Sequence, residues 1–208
     1  MHRVTSDQQL RELYPPVPDR TRAKKIDHLD AGFRHALGLS PFVLLATSDA
    51  EGRCDVSPRG GPPGFVKVLD ERSLAIPDLN GNHLLDSLHN IIANPAAALL
   101  VVIPGQHDTL RISGRAHLST DPDLLSRFDT EVRRPVLAVV IEVDEAYNHC
   151  AKAFRRGRVW DPTRWPELEH SPFLRARYDQ LGLTESFEQY ALDNAGKIEA
   201  GLAADRPG

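Results

Sequence analysis

The most constraining feature of the sequence is a central stretch, residues 42–118, in which short apolar segments alternate with turns rich in Gly, Pro and Asn. Short apolar runs bounded by such turns predict β-strands, and short connections favour antiparallel pairing. About six or seven strands forming a barrel are therefore favoured over a doubly wound parallel sheet. The predicted strands are 42–47, 55–57, 65–69, 73–76, 98–103, 109–119 and, beyond this stretch, 136–143.

Helical patterns flank the strands. Thr5-Ser6-Asp7 can cap a helix through Leu13, and a second helix after Pro18 carries apolar residues at helical spacing as far as Leu37. Asn82 is a good N-cap for an amphipathic helix over 83–93. Further helices are predicted from 121 to 128 and over 146–156, 173–181 and 185–202. We expect one domain over 1–208, with a helical extension (1–37), a barrel core (38–145) and a helical C-terminal segment (146–208).

Composition limits the possible partners. The chain has 208 residues, of which 41% are hydrophobic and 26% charged, and its net charge of −4 provides no overall attraction to nucleic acid or an anionic membrane. Its longest apolar runs are too short to span a bilayer, and residues 1–7 lack the apolar stretch of a secretory signal. Cys54 and Cys150 are too few for a disulfide framework. We expect a cytoplasmic protein that binds neither nucleic acid nor membranes.

Two loops, 57–61 and 78–82, are candidates for holding an anion. Arg59 lies between Pro58 and Gly60, so its guanidinium can fork onto a phosphate, although a solvated arginine in a turn is an equal alternative. The second loop leads into the helix over 83–93, whose N-terminus would favour a phosphate. The prediction of a site requires both loops to lie at the same end of the sheet.

Two other segments carry unusual side chains. Residues 109–116 alternate polar and apolar side chains, and Gly114 in this segment indicates a bulge or a close backbone approach. Trp160 follows a basic cluster and could form a flat wall for an aromatic ring or simply pack. A solvated helix end is the alternative interpretation of the cluster, which consists of Lys152, Arg155, Arg156 and Arg158.

Metal and nucleophile motifs are not found in the sequence. His83 and His89 are six apart on a predicted helix and point to different faces, and no pair shows recognised zinc spacing. The Gly-x-Ser-x-Gly motif is also missing. We therefore expect no metal site, and no catalytic residue is assigned.

Several motifs follow one another along the chain, among them Val56-Ser57-Pro58-Arg59-Gly60, Leu74-Ala75-Ile76-Pro77-Asp78, Gly81-Asn82, Asn94-Pro95, Thr109-Leu110-Arg111-Ile112-Ser113-Gly114-Arg115-Ala116 and His149-Cys150-Ala151-Lys152-Ala153. In this order they resemble the pyridoxamine 5′-phosphate oxidase-like FMN-binding split-barrel superfamily, and within it the FMN-dependent branch related to pyridoxamine 5′-phosphate oxidase. Gly157 stands where that branch has serine, Val159 stands where it has leucine, and the C-terminus lacks the Arg-x-His pair of the true oxidase. Vitamin B6 oxidation is therefore disfavoured.

The resemblance implies a mainly β protein of the α+β class, a six-stranded antiparallel Greek-key split β-barrel with N- and C-terminal helices. It also implies a homodimer with flavin sites at the interface and FMN as the cofactor. The implied cofactor-binding residues are Ser57, Arg59, Asn80, Asn82 and Lys152 on the phosphate side, Arg111 and Ser113 from a barrel strand, and Arg158 and Trp160 from the C-terminal segment.

Three functions are compatible with these features. The first is a flavin-dependent oxidoreductase acting on a small molecule, in which FMN carries out the redox chemistry and the protein binds and tunes it. The second is a flavin-binding or sensing module without turnover. The third is the use of F420 or haem in the same groove. A Rossmann fingerprint is missing, so NAD(P)H as electron donor would bind only transiently.

Overall fold

A computed structural model describes residues 3–208, and Met1 and His2 of the expected N-terminal extension lie outside the described residues. The described chain is an α+β fold with seven strands in one sheet and eight α-helices, which confirms the predicted class. The strands are β1 (Phe42–Ser48), β2 (Cys54–Gly60), β3 (Lys67–Val68), β4 (Ser73–Pro77), β5 (Ala96–Val102), β6 (Thr109–Ser119) and β7 (Ala138–His149). The helices are α1 (Asp7–Leu13), α2 (Asp19–Arg22), α3 (Ala31–Leu39), α4 (Asp86–Ala93), α5 (Pro122–Ser126), α6 (Lys152–Gly157), α7 (Pro172–Leu181) and α8 (Phe187–Ala204).

The sheet is antiparallel, with the strand order β2-β1-β5-β6-β7-β4-β3. The six strands that the resemblance implied were wrong in number, because seven strands are present. The sheet is also not closed into a barrel, since no pairing joins β2 to β3 within residues 3–208. The segment between these two strands contains Pro62 and Pro63, which have no N–H to donate to a ladder. β2 is thus one edge strand of the sheet, and β4 lies next to the other edge strand, β3.

The main core lies between one face of the sheet and two helices. Leu37 of α3 and Leu88 and Ile91 of α4 pack with buried strand residues such as Val43 and Leu99. Since alternate residues of a strand face opposite sides, Leu44 and the other even-numbered residues of β1 lie on the outer face. A second cluster of buried residues is centred on Phe128, which follows α5.

Gly114 forms the predicted bulge. The register between β6 and β7 shifts between Ser113 and Gly114, which confirms the prediction of a close approach. A Cβ atom at Gly114 would lie 1.8 Å from the backbone oxygen of Glu142. Only glycine fits this position without moving one of the two strands.

Several helix boundaries differ from the prediction. The helix expected after Pro18 is two helices, α2 and α3, because Ile26 between them pairs with Ala146 as an isolated bridge. Residues 146–149 continue β7 rather than starting a helix, since Thr109 of β6 pairs with His149. None of the helices in residues 3–208 is long and apolar enough to cross a membrane. The division into three segments stays a prediction.

Candidate functional site

The two loops singled out in the sequence lie side by side in the structure. Two adjoining cavities, of about 410 and 550 Å³, are together called the loop cavities here. Each is lined by Ser57, Arg59, Asn80 and Asn82. Four of the nine residues predicted to bind a cofactor are therefore brought together, and their role in binding stays a prediction.

An ion pair joins the two loops. Nη1 of Arg59 donates to Oδ1 of Asp78 at 2.9 Å, and each side chain is only 20% exposed. The backbone N–H of Asp78 donates to the carbonyl of Leu137, so this carboxylate is fixed to the sheet. Nε of Arg59 is buried and has no hydrogen-bond partner among residues 3–208. A buried guanidinium N–H without an acceptor is uncommon and marks a position where an anion would be accepted.

The second of these loops, residues 78–82, is called the Asn80 loop here, and it presents backbone and side-chain hydrogen-bond donors. Both the backbone N–H and Nδ2 of Asn80 donate to Oδ1 of Asp205, at 3.3 and 2.9 Å. Oδ1 of Asn82 accepts from the backbone N–H of Leu84 at 3.1 Å, which makes an Asx turn rather than the predicted helix cap. His83 and Leu85 have positive φ values of 58° and 61°, a conformation that costs energy for residues with side chains.

Because of these turns, the N-terminus of α4 does not have the role expected for it, which was to favour a phosphate. α4 begins at Asp86 rather than at His83, because the left-handed residues before it cannot be helical. Its first turn carries the carboxylate of Asp86, and Oγ of Ser87 donates to Asp55 at 2.9 Å. The N-terminus of the helix thus already faces carboxylates, and the donors available for an anion are those of the loops.

The loop cavities contain charges of both signs. In the second of them, Glu131 pairs with Lys67 at 2.5 Å. Burial acts to raise the pKa of Glu131, but hydrogen bonds from Lys67 and Thr130 outweigh it and hold the pKa below its ordinary value. Glu131 is therefore a stable anion at neutral pH. The other charged lining residues are Arg59, Arg133, Arg134 and Arg206 and the acidic residues Asp55, Asp78, Asp86 and Asp205.

Arg111 and Ser113 lie on the other face of the sheet. Ser57 and Arg59 are paired with the buried Leu45 and Val43, so they face the core side. Arg111 is paired instead with Leu100, on the outer face. A third cavity of about 390 Å³, called here the outer-face cavity, lies on this side and is lined mainly by apolar side chains. Its lining includes Leu44, Ala46, Val56, Ala98, Leu100, Arg111, His149, Cys150 and Phe154.

The cofactor-binding candidates of the C-terminal segment, Lys152, Arg158 and Trp160, are close in sequence to lining residues of the outer-face cavity. Nε1 of Trp160 donates to the carbonyl of Gln106 at 2.6 Å, and its ring stacks on Phe154 with centroids 5.7 Å apart. Lys152 begins α6 and is exposed, between two lining residues of that cavity, Cys150 and Ala153. Arg158 ends α6 with a left-handed φ of 48° and is also exposed.

One residue is shared by the loop cavities and the outer-face cavity. Val56, on β2 at the edge of the sheet, lines both a loop cavity and the outer-face cavity. The nine expected residues are thus split within one chain, with four of them at the loop cavities and five on or near the outer face. No group of three or more His, Cys, Asp or Glu residues in the described chain could hold a metal ion.

Sequence reasoning missed two carboxylates. Asp78 was quoted only as part of a loop motif, although its position two residues before Asn80 was a usable signal. Asp205 is 125 residues away from Asn80 and follows a helix with no distinguishing motif, so no local pattern could have indicated it.

Comparisons with known proteins match the central part of the chain. The family model described as Pyridoxamine 5′-phosphate oxidase matches residues 29–150. No curated protein matches. Solved structures with similarity include HupZ from Group A Streptococcus (15% identity, 57% of this chain and 92% of that chain, TM-score 0.48), an F420 reductase (22%, 58% and 98%, 0.39) and the FAD-binding protein from Mycobacterium smegmatis (12%, 60% and 97%, 0.41). At these TM-scores the likenesses say nothing about the ligand of this chain.

Proposed function

The chain belongs to the pyridoxamine 5′-phosphate oxidase family, as its sequence motifs predicted, and on this premise we propose that it binds FMN and acts as a flavin-dependent oxidoreductase on a small molecule. The observation that carries the proposal is the buried Nε of Arg59, which has no hydrogen-bond partner in the described part of the chain. Arg59 lines the loop cavities together with Ser57, Asn80 and Asn82. This donor set suits a phosphate.

The donors present fit the phosphate end of FMN. Arg59 can offer Nε, Asn80 its backbone and side-chain N–H groups, and Ser57 its hydroxyl. The mainly apolar outer-face cavity, reached across Val56, suits a flat ring system. When bound, FMN would supply the hydride or electron transfer, and the residues of this chain would bind and orient it and exclude water.

We further propose a homodimer in which each flavin site is shared. The polar and apolar cavities lie on opposite sides of the edge strand β2, so one chain alone would leave much of a bound ring exposed. A second copy related by a two-fold axis would place its own outer face and C-terminal segment, with Arg111, Lys152, Arg158 and Trp160, over the loop cavities of the first. Lys152 and Arg158 are exposed and can reach outward.

The first prediction is saturable FMN binding by the folded protein. Titration with FMN should quench flavin fluorescence with one FMN per chain and give a shifted flavin absorbance band after removal of free ligand. Absence of saturable binding would contradict the proposal, and preferential uptake of F420 or haem would replace FMN with that cofactor. If FMN binds but NAD(P)H never reduces it and dithionite-reduced protein transfers no electrons to any acceptor tested, the protein is a flavin-binding or sensing module.

The second prediction concerns the shared site. Arg59→Ala and Trp160→Ala proteins, each poor in flavin, should on subunit exchange give mixed dimers in which one of the two sites binds FMN again. The reason is that one site then receives both intact residues and the other receives neither.

The control for subunit exchange is each variant mixed with itself. Mass spectrometry of differently tagged chains verifies that exchange has occurred. No recovery in verified mixed dimers would place Arg59 and Trp160 of one site on the same chain, and a monomer that holds FMN would exclude the shared site.

A further inference from the structure

Asp205, the residue that follows α8, contacts the Asn80 loop, one of the two loops predicted to hold an anion. Oδ1 of Asp205 accepts hydrogen bonds from the backbone N–H and Nδ2 of Asn80, at 3.3 and 2.9 Å. The carbonyl of Asp205 accepts from the backbone N–H of Arg133 at 2.8 Å. Asp205 lines both loop cavities, and Arg206 and Pro207 line the larger one. The C-terminal tail, residues 205–208, therefore borders the loop cavities through its first three residues.

The tail and the end of α8 have few hydrogen bonds to the sheet-bearing part of the protein. Within residues 3–208, the hydrogen bonds between residues 187–208 and residues before 150 all involve Asp205. The buried residue of α8 is Phe187, at the opposite end of the helix, where it packs against His170 and Tyr178. Elements with few buried contacts open at low free-energy cost, so the end of α8 can leave without unfolding the sheet.

The carboxylate of Asp205 lies where an anionic ligand of the Asn80 loop would bind. An oxygen anion that accepts a backbone N–H and a side-chain amide N–H of the same loop makes the contacts that a phosphate oxygen would make there. Asp78 also faces this region, but its backbone N–H is bonded to Leu137 and its side chain to Arg59. Of the two carboxylates, only that of Asp205 lies on a segment that can move away.

We propose that Asp205 is a built-in competitor for the anion site, whose carboxylate occupies the donors of Asn80 until a phosphate-bearing ligand displaces it. The proposal rests on the proposed function, since it takes the displacing ligand to be the phosphate of FMN. A ligand that must first displace the tail binds with an apparent affinity reduced by the fraction of molecules in which the tail is away. Riboflavin, which has no phosphate, does not need the tail to leave.

The test compares Asp205→Asn with Glu199→Gln, a matched control that removes one negative charge from an exposed position on α8, the helix that precedes Asp205. Dissociation constants for FMN, riboflavin and inorganic phosphate are measured for both variants and the wild type. Amide hydrogen exchange of peptides covering 201–208 is followed with and without each ligand.

Asp205→Asn should bind FMN and inorganic phosphate about tenfold more tightly than the wild type, with riboflavin unchanged, and Glu199→Gln should behave as the wild type. FMN, but not riboflavin, should accelerate exchange in 201–208 of the wild type. Weaker binding of FMN and phosphate by Asp205→Asn would instead make Asp205 a residue that positions the Asn80 loop, and unchanged binding would also overturn the proposal.

The phosphate measurements separate this proposal from the flavin proposal. Tighter phosphate binding by Asp205→Asn without any flavin binding would support the competing tail and refute FMN as cofactor. FMN binding that is equally tight in the wild type and in Asp205→Asn would support FMN as the cofactor and refute the competing tail. Failure of all three proteins to bind FMN and inorganic phosphate would refute both.

Discussion

Arg59→Ala is expected to weaken FMN binding about tenfold to hundredfold while leaving riboflavin binding nearly unchanged. The buried Nε of the Arg59 guanidinium has no hydrogen-bond partner among the residues that the structure describes, and of the two ligands only FMN offers a phosphate that can accept its N–H. A charge-assisted hydrogen bond contributes about 1.5–3 kcal/mol, which corresponds to that range of affinity. Isothermal titration with both ligands measures the difference directly.

The controls for Arg59 come from the same sheet. Arg115→Ala removes an exposed arginine of β6 that lines none of the three cavities, and it should leave both affinities unchanged. Arg59→Lys keeps the charge but not the planar fork and should recover part of the lost FMN affinity. Because Arg59→Ala also leaves Asp78 without its partner, thermal unfolding of each variant is compared. Equal losses for FMN and riboflavin would mean that Arg59 supports the fold or contacts the ring.

Gly114→Ala is expected to lower the free energy of unfolding by about 3 kcal/mol or more, at the upper end of the range for overpacked sites. The added Cβ would lie 1.8 Å from the backbone oxygen of Glu142, so β6 and β7 would have to separate at the bulge. Since backbone cannot yield as a flexible side chain can, local repacking offers little relief. Urea or thermal unfolding followed by circular dichroism measures the loss.

Gly38→Ala is the matched control for Gly114. Gly38 lies inside α3, and a Cβ atom there meets nothing within 4 Å. Alanine is favoured over glycine inside a helix by about 1 kcal/mol, so this variant should be as stable as the wild type or more so. A Gly114→Ala protein with the unfolding midpoint of the wild type would contradict the close approach of β6 and β7.

The strands were predictable because their signal is local. An apolar run between turn residues marks a strand in whatever sheet it joins, and β1 and β6 lie where the pattern placed them. The polar alternation that includes Arg111 was also visible, but the face that Arg111 occupies depends on its pairing with Leu100 of β5. Register is a property of the assembled sheet, so the split of the site into two groups could not be foreseen.

The start of α4 and the contact of Asp205 with Asn80 could not be predicted from the sequence, and the reasons differ. His83 and Leu85 adopt left-handed conformations that neither residue type prefers, so local propensity favoured a helix three residues too early. The contact of Asp205 with Asn80 depends on where α8 ends in space. The loop containing Arg59 could be identified in advance because its Pro and Gly residues constrain the backbone wherever the loop lies.

The open edge at β2 has a consequence for how copies of this protein can associate. An exposed edge strand is a template for adding a strand from another molecule, which leads to continuous intermolecular sheets and aggregation. β2 contains Pro58, which lacks the N–H needed for a regular ladder, and the half-buried Arg59 follows it. A neighbouring strand would therefore find an interrupted row of donors, which disfavours edge-to-edge pairing of copies of the chain.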